Sequence, residues 1–229
     1  MIDRRTWLLA LPALALPALA RPALALPPDE LSPQDRKLAN RLELWASYAG
    51  HTRNLMTRLS TRRETSLLEE PLLSTGTLVF VAPQLLVLRD DGRQGSTTLI
   101  DGEDVRVFLN GAGRRDPSAT VASQRPAARW LAARLRLMFA PGDGTALLEE
   151  TRTHVPKGLG HRLELMPLRG SAARRSLRSV SLQLDPVVGT ITQIVVAEAQ
   201  GDRVVMGLTD HRQNLPDEDI TAFLDQLDA

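Results

Sequence analysis

The chain has 229 residues, 43% of them apolar and 24% charged, an ordinary globular composition that argues against a disordered or fibrous protein. Formal charge is +1, from 28 Lys and Arg against 27 Asp and Glu, and nucleic-acid binding needs a clearer basic excess than that. Cysteine is absent, which excludes disulfides, thiol nucleophiles and Cys-based zinc or iron–sulfur sites; with 3% aromatic residues, the core must be built from Leu, Val, Ala and Ile.

The N-terminus reads as an export leader. Arg4 and Arg5 form a basic region, Leu8–Ala20 an apolar one, and Ala18-Leu19-Ala20 and Ala23-Leu24-Ala25 are small-x-small cleavage candidates. Pro12, Pro17, Pro22 and Arg21 interrupt the apolar run, which disfavours a permanent membrane span. Arg4-Arg5-Thr6-Trp7-Leu8-Leu9 loosely matches a twin-arginine signal, so the expectation is periplasmic export by the Sec or the twin-arginine route. The expected organisation is a signal peptide over 1–25, a linker over 26–34 and a single domain over 35–229. Removing residues 1–25 takes away Arg4, Arg5, Arg21 and Asp3 and leaves 25 basic against 26 acidic residues.

Ser32-Pro33-Gln34-Asp35 starts a helix, with Ser as N-cap and Pro in the first turn. Leu38, Leu42, Trp45 and Ala49 mark its apolar face. Leu55, Thr57, Leu59 and Thr61 then alternate as a strand, followed by Thr75–Val81, Leu85–Arg89, Ser96–Ile100 and Val105–Leu109, with Asp90-Asp91-Gly92 and Asp101-Gly102 as turns. Ala127, Leu131, Leu135 and Met138 share a helical face, with Arg129, Arg134 and Arg136 read as surface residues. Leu147-Leu148 is a further helical turn. Strands return through Leu163–Leu165, Val180–Leu184, Ile191–Ala197 and Val204–Leu208, and Pro216-Asp217-Glu218-Asp219 starts a last helix with Ile220, Phe223, Leu224 and Leu227 on one side. The order is helix, about five strands, helix, about five strands, helix. So many sequential antiparallel strands curl towards a barrel, and so few helices serve best as a plug or lid.

Catalytic chemistry is not visible. His51, His154, His161 and His211 lack the spacing of a helical metal site, there is no G-x-S-x-G elbow or P-loop, and the carboxylates cluster at turns and helix starts, where local structure accounts for them. No catalytic residue, metal or cofactor is expected. Arg169, Arg174, Arg175 and Arg178 lie in a Gly/Ser/Ala-rich loop and, with Arg89, are candidates for an acidic partner or anionic head groups; the plain alternative is a solvated loop. The aliphatic strand faces suggest space left inside the sheet, with simple core packing as the alternative.

Ser74-Thr-Gly-Thr-Leu-Val-Phe-Val-Ala-Pro83, followed after a hairpin by Asp101-Gly102-Glu-Asp-Val-Arg-Val-Phe108, resembles the strand motifs of the LolA-like family of periplasmic outer-membrane lipoprotein carriers. Leu163-Glu-Leu-Met-Pro167, the hairpin through Gly189-Thr-Ile-Thr-Gln193, and Gly201-Asp202 with Thr209-Asp210 and the late Asn214 follow in the family's order, over about residues 35–224. The resemblance implies an α+β, mainly β fold: a half-open antiparallel β-barrel of about 10–11 strands, closed by helices over an apolar cavity. It implies a non-enzymatic, monomeric carrier that shields the acyl chains of a lipoprotein or other amphiphilic lipid and moves it toward the outer membrane, between an inner-membrane donor and an outer-membrane acceptor. The candidate cavity lining is Leu78, Phe80, Leu86, Leu88, Leu135, Met138, Leu182, Ile194 and Met206, with strand parity as the open point. The alternatives are an envelope scaffold module and a carrier for a polyene or lipid biosynthetic product. One departure stands out: the family's Arg before the first-strand Pro, which latches the lid, is Ala82 here, and Leu86-Val87-Leu88-Arg89 replaces the usual Arg-Trp pair.

Overall fold

A computed structural model describes residues 32–92, 95–110, 120–121, 125–158 and 160–227. The leader over 1–25, with most of the expected linker, lies outside the described residues. The first helix begins at Pro33 with Ser32 as its N-cap, where the sequence placed the helix start.

Among the described residues, eleven strands form one antiparallel sheet: β1 (Asn54–Glu64), β2 (Leu72–Val81), β3 (Leu85–Asp90), β4 (Ser96–Asp101), β5 (Asp104–Leu109), β6 (Thr120–Val121), β7 (Thr151–His154), β8 (Arg162–Pro167), β9 (Leu177–Leu184), β10 (Ile191–Glu198) and β11 (Arg203–Gln213). Their spatial order is β6-β5-β4-β3-β2-β1-β11-β10-β9-β8-β7. The chain therefore makes two meanders, sewn together where β1 pairs with β11. β6 and β7 are the two edges and do not pair with each other, so the sheet is half-open, as expected.

The joint between the meanders is specified by polar side chains. A bulge shifts the β1–β11 register between Met56 and Arg58, and the Thr57 hydroxyl donates to the Thr209 carbonyl at 2.6 Å across it. At the end of β11, Asn214 adopts φ 57°. Its side chain accepts from the Arg53 amide at 2.8 Å and donates to the His51 carbonyl at 3.0 Å. Asn54, buried, answers by bonding the Leu215 carbonyl and amide at 3.0 and 2.8 Å. The late Asn thus ties the start of β1 to the exit of β11.

Among the described residues, four α-helices accompany the sheet: α1 (Pro33–Ala49), α2 (Pro126–Leu137), α3 (Thr145–Leu148) and α4 (Asp217–Asp225). Ser32 caps α1, its hydroxyl accepting from the Asp35 amide at 3.2 Å. The apolar face of α1 packs into the main core with Leu55, Leu59 and the inner side of β8 to β11. Two glycines let it seat closely. A Cβ on Gly144 would stand 2.7 Å from Leu42, and one on Gly189 would stand 2.1 Å from the Leu44 carbonyl oxygen; both residues have positive φ. α2 and α3 lie on the stretch of chain that leaves one sheet edge at β6 and rejoins the other at β7.

α4 differs from the expected lid role. Ile220 and Leu227 join Val79, Val87, Leu99 and Phe108 in a second, smaller cluster, separate from the main core. Val79 alternates with the inward Leu78 and Phe80, so α4 covers the outer face of the sheet. The physical reason is that β2 and β3 are apolar on both faces, and the outer one needs its own cover.

Candidate functional site

The sheet's inner face gathers the predicted residues in two stripes. On β2 and β3, Leu78 stands opposite Leu88 and Phe80 opposite Leu86. On β9, β10 and β11, Leu182, Ile194 and Met206 are successive cross-strand neighbours. Leu135 of α2 and Met138 at its C-terminus complete the set, and all nine belong to or pack against one core cluster. The assumed strand parity is therefore the parity of the fold. Trp45, Trp130 and Phe139 are in the same cluster, and the Phe80 and Phe139 rings lie 6.3 Å apart.

This interior is packed. Leu78, Phe80, Leu86, Met138, Leu182 and Ile194 are almost fully buried. Met138 lines a crevice of about 10 Å³ with Trp45, Tyr48, Leu55, Phe139, Ile191 and His211, room for about one water at most. Trp45, expected on the apolar face of α1, and Phe139 pack against these residues beneath the helices. An acyl chain would enter only if those helices moved.

The helices are held by named polar ties. The Trp45 indole N–H donates to the Met138 carbonyl at 2.8 Å, joining α1 to the end of α2. Gln34 donates to the Val155 carbonyl at 3.0 Å and Arg41 to the Gly160 carbonyl at 2.6 Å, fixing the outer end of α1 beside β7 and β8. Gln213 donates to the Tyr48 carbonyl at 3.1 Å at the other end. Burial pushes the Tyr48 phenol above its ordinary pKa. Ala82 offers no side-chain hydrogen bond; its amide donates to the Arg53 carbonyl at 2.8 Å.

Arg134 overturns its reading as a surface residue. It is 4% exposed, and one guanidinium nitrogen donates to the Ala146 and Leu147 carbonyls at 2.7 and 3.1 Å, tying α2 to α3. Its guanidinium lies 5.7 Å from the Trp130 ring centre, and Glu150 stands 3.8 Å away. Desolvation lowers its pKa, against the opposing pull of Glu150 and Glu149. The Trp130–Arg134 spacing of four was the signal in the sequence.

The basic loop is only partly a charged surface. Arg169, Arg175 and Arg178 are exposed, but Arg174 is half-buried and donates to the Arg178 carbonyl within its own loop. A 3₁₀ turn over Ala173–Arg175 sets Ala173 into the core, against α2. Arg89 is paired with Asp91 at 3.8 Å. Among the described residues no group of three His, Asp or Glu is placed to hold a metal, and no helix is long and apolar enough to cross a membrane.

No family model matches the chain, and no curated protein matches it by sequence. Solved structures do resemble it. A LolA superfamily protein from Nitrosomonas europaea is 14% identical with a TM-score of 0.42, covering 78% of this chain and 94% of that one. An outer membrane lipoprotein-sorting protein domain from Vibrio parahaemolyticus is 10% identical with a TM-score of 0.46, covering 81% and 97%. The lipoprotein LppX from Mycobacterium tuberculosis is 11% identical with a TM-score of 0.41, covering 80% and 98%.

Proposed function

We propose that this chain is a non-enzymatic carrier of the periplasm that shields the acyl chains of a lipoprotein or another amphiphilic lipid between its sheet and its helices, and hands that cargo on toward the outer membrane. The observation that carries the reading is the arrangement of α2 and α3. They cross from one free sheet edge to the other over an aliphatic inner face. Each buried CH₂ is worth about 0.8 kcal/mol, so a cargo with several long chains crosses water slowly unless something covers them. A sheet that is not closed can part from its helices without breaking a strand ladder. The Trp45–Met138 bond joins α1 to the end of α2 and the Arg134–Ala146/Leu147 bonds join α2 to α3, so these ties hold the helices to one another. Native mass spectrometry on protein purified without detergent, before and after adding a diacyl lipid, tests the reading. A one-to-one adduct is expected; repeated recovery of bare protein under both conditions contradicts it.

Arg169, Arg175 and Arg178, exposed on one loop, favour a second reading as an envelope binding module. Changing all three to Ala is then expected to abolish capture of an acidic partner while lipid uptake stays intact.

A further inference from the structure

Among the described residues, the exposed large apolar side chains are unevenly placed. Leu67, Leu68, Leu72, Leu73, Leu109 and Leu168 stand at one end of the sheet, and Val187 and Val188 at the other. The first four belong to one feature, the β1–β2 hairpin. Its outer half projects beyond the core: β1 has no buried residue after Leu59, and β2 has none before Gly76. Leu67, in the connecting loop, is 88% exposed. Leu72 and Leu73 are consecutive strand residues and so point to opposite faces of the ribbon, yet they are 55% and 74% exposed. Each stands opposite an exposed arginine on β1, Leu72 opposite Arg63 and Leu73 opposite Arg62.

We propose that this hairpin tip docks the chain on a lipid bilayer, with its leucines entering the head-group layer. A single exposed leucine needs no explanation, but a cluster on one projecting element marks an interaction site. The two-sided exposure names the occupant. A protein partner packed on the ribbon covers one face and leaves the other wet, whereas a bilayer surrounds both. Arg62 and Arg63 sit just behind the apolar tip, where long cationic side chains reach head-group phosphates. Arg62 is held by Glu64 at 2.9 Å, an exposed pair weak enough to exchange for a phosphate. The loop from β8 to β9 leaves the sheet at the same end and repeats the combination, with Leu168 exposed beside Arg169, Arg175 and Arg178. Glu69 and Glu70, exposed in the hairpin loop, set the depth: their carboxylates stay hydrated, which keeps the tip at the interface and out of the hydrocarbon centre. Docking requires no acyl chain inside the core, so the inference stands apart from the carrier reading.

The chain has no cysteine, so one introduced thiol takes a label at one place. The full chain carrying Leu68→Cys, or Val187→Cys at the opposite end as the control, is labelled with an environment-sensitive fluorophore. It is then titrated with vesicles of phosphatidylcholine and phosphatidylglycerol. A saturable blue shift is expected from the label at 68 and none from the label at 187. Adding Leu67→Ser, Leu72→Ser and Leu73→Ser to the Leu68→Cys chain should raise the half-saturating vesicle concentration at least about tenfold, the scale of several leucines leaving an apolar interface. Arg62→Gln with Arg63→Gln should raise it by a smaller factor. No shift at 68, equal shifts at both positions, or a titration unmoved by the serine substitutions each overturns the docking site. All three results leave the carrier reading standing, since that is read from the lipid adduct in native mass spectrometry. If the serine variant fails to fold, the comparison of labels at 68 and 187 decides.

Discussion

Asn214 and Asn54 hold the joint between the two meanders with four side-chain hydrogen bonds across about 160 residues of chain. Asn214 also occupies a left-handed backbone position, which Asn tolerates better than most residues. Asn214→Ala should therefore cost about 1–2 kcal/mol in urea unfolding, from lost hydrogen bonds plus backbone strain. Asn214→Gly, which removes only the bonds, should cost less. Asp185 works at the turn before β10, where its carboxylate accepts from the Val187 and Val188 amides, both at 2.8 Å. The Val188 and then the Val187 N–H hold its carboxyl below the usual aspartate value. A carboxyl lowered by folding lends stability above its unfolded pKa, and that contribution disappears as pH falls through the folded value. Asp185→Asn should therefore flatten the acid limb of the stability curve and leave its slope near neutral pH unchanged, as followed by thermal unfolding across pH. The motif order in the sequence pointed to the late Asn, but its partners were not legible, because no local pattern says that residues 53 and 214 meet.

α1 is the element most exposed to a single change. Gly189→Ala would set a Cβ 2.1 Å from the Leu44 carbonyl, at a φ of +83°. We expect a loss of at least about 2 kcal/mol and a shifted α1, since neither backbone can yield without disturbing the helix or the β9–β10 turn. Trp45→Phe keeps the ring in the core and deletes the bond to Met138; it should cost about 1 kcal/mol and speed hydrogen exchange at the α1–α2 contact while β1 and β11 stay protected. The main strands were legible because alternation survives wherever one face is buried, as along Leu182-Gln183-Leu184. β7 was not: Thr-Arg-Thr-His carries no apolar alternation, and its pairing comes from backbone bonds to β8. The apolar face of α4 was legible, but its docking side was not, since Leu85-Leu86-Val87-Leu88 is a continuous apolar run whose parity hides a second core on the outer face.

For the whole molecule, the half-open sheet and the bridging helices were expected from strand count and helix scarcity. The share of Trp45 and Phe139 in the inner face is not carried by any strand pattern, since neither lies on a strand. The burial of Arg134 was missed for a related reason: an arginine on a helix reads as a solvated residue, and only the fold brings the Ala146 and Leu147 carbonyls to it. The account's central claim is that this packed core opens under its helices to admit hydrocarbon. The most direct measurement is photo-crosslinking with a diazirine-bearing palmitoyl chain, mapped by peptide mass spectrometry. The account predicts adducts on the inner-face set, at Phe80, Leu86, Leu135, Met138, Leu182 and Ile194, that a diacyl lipid competes away. Adducts confined to the outer face around Val79, Val87 and Phe108, or none above background, would contradict it.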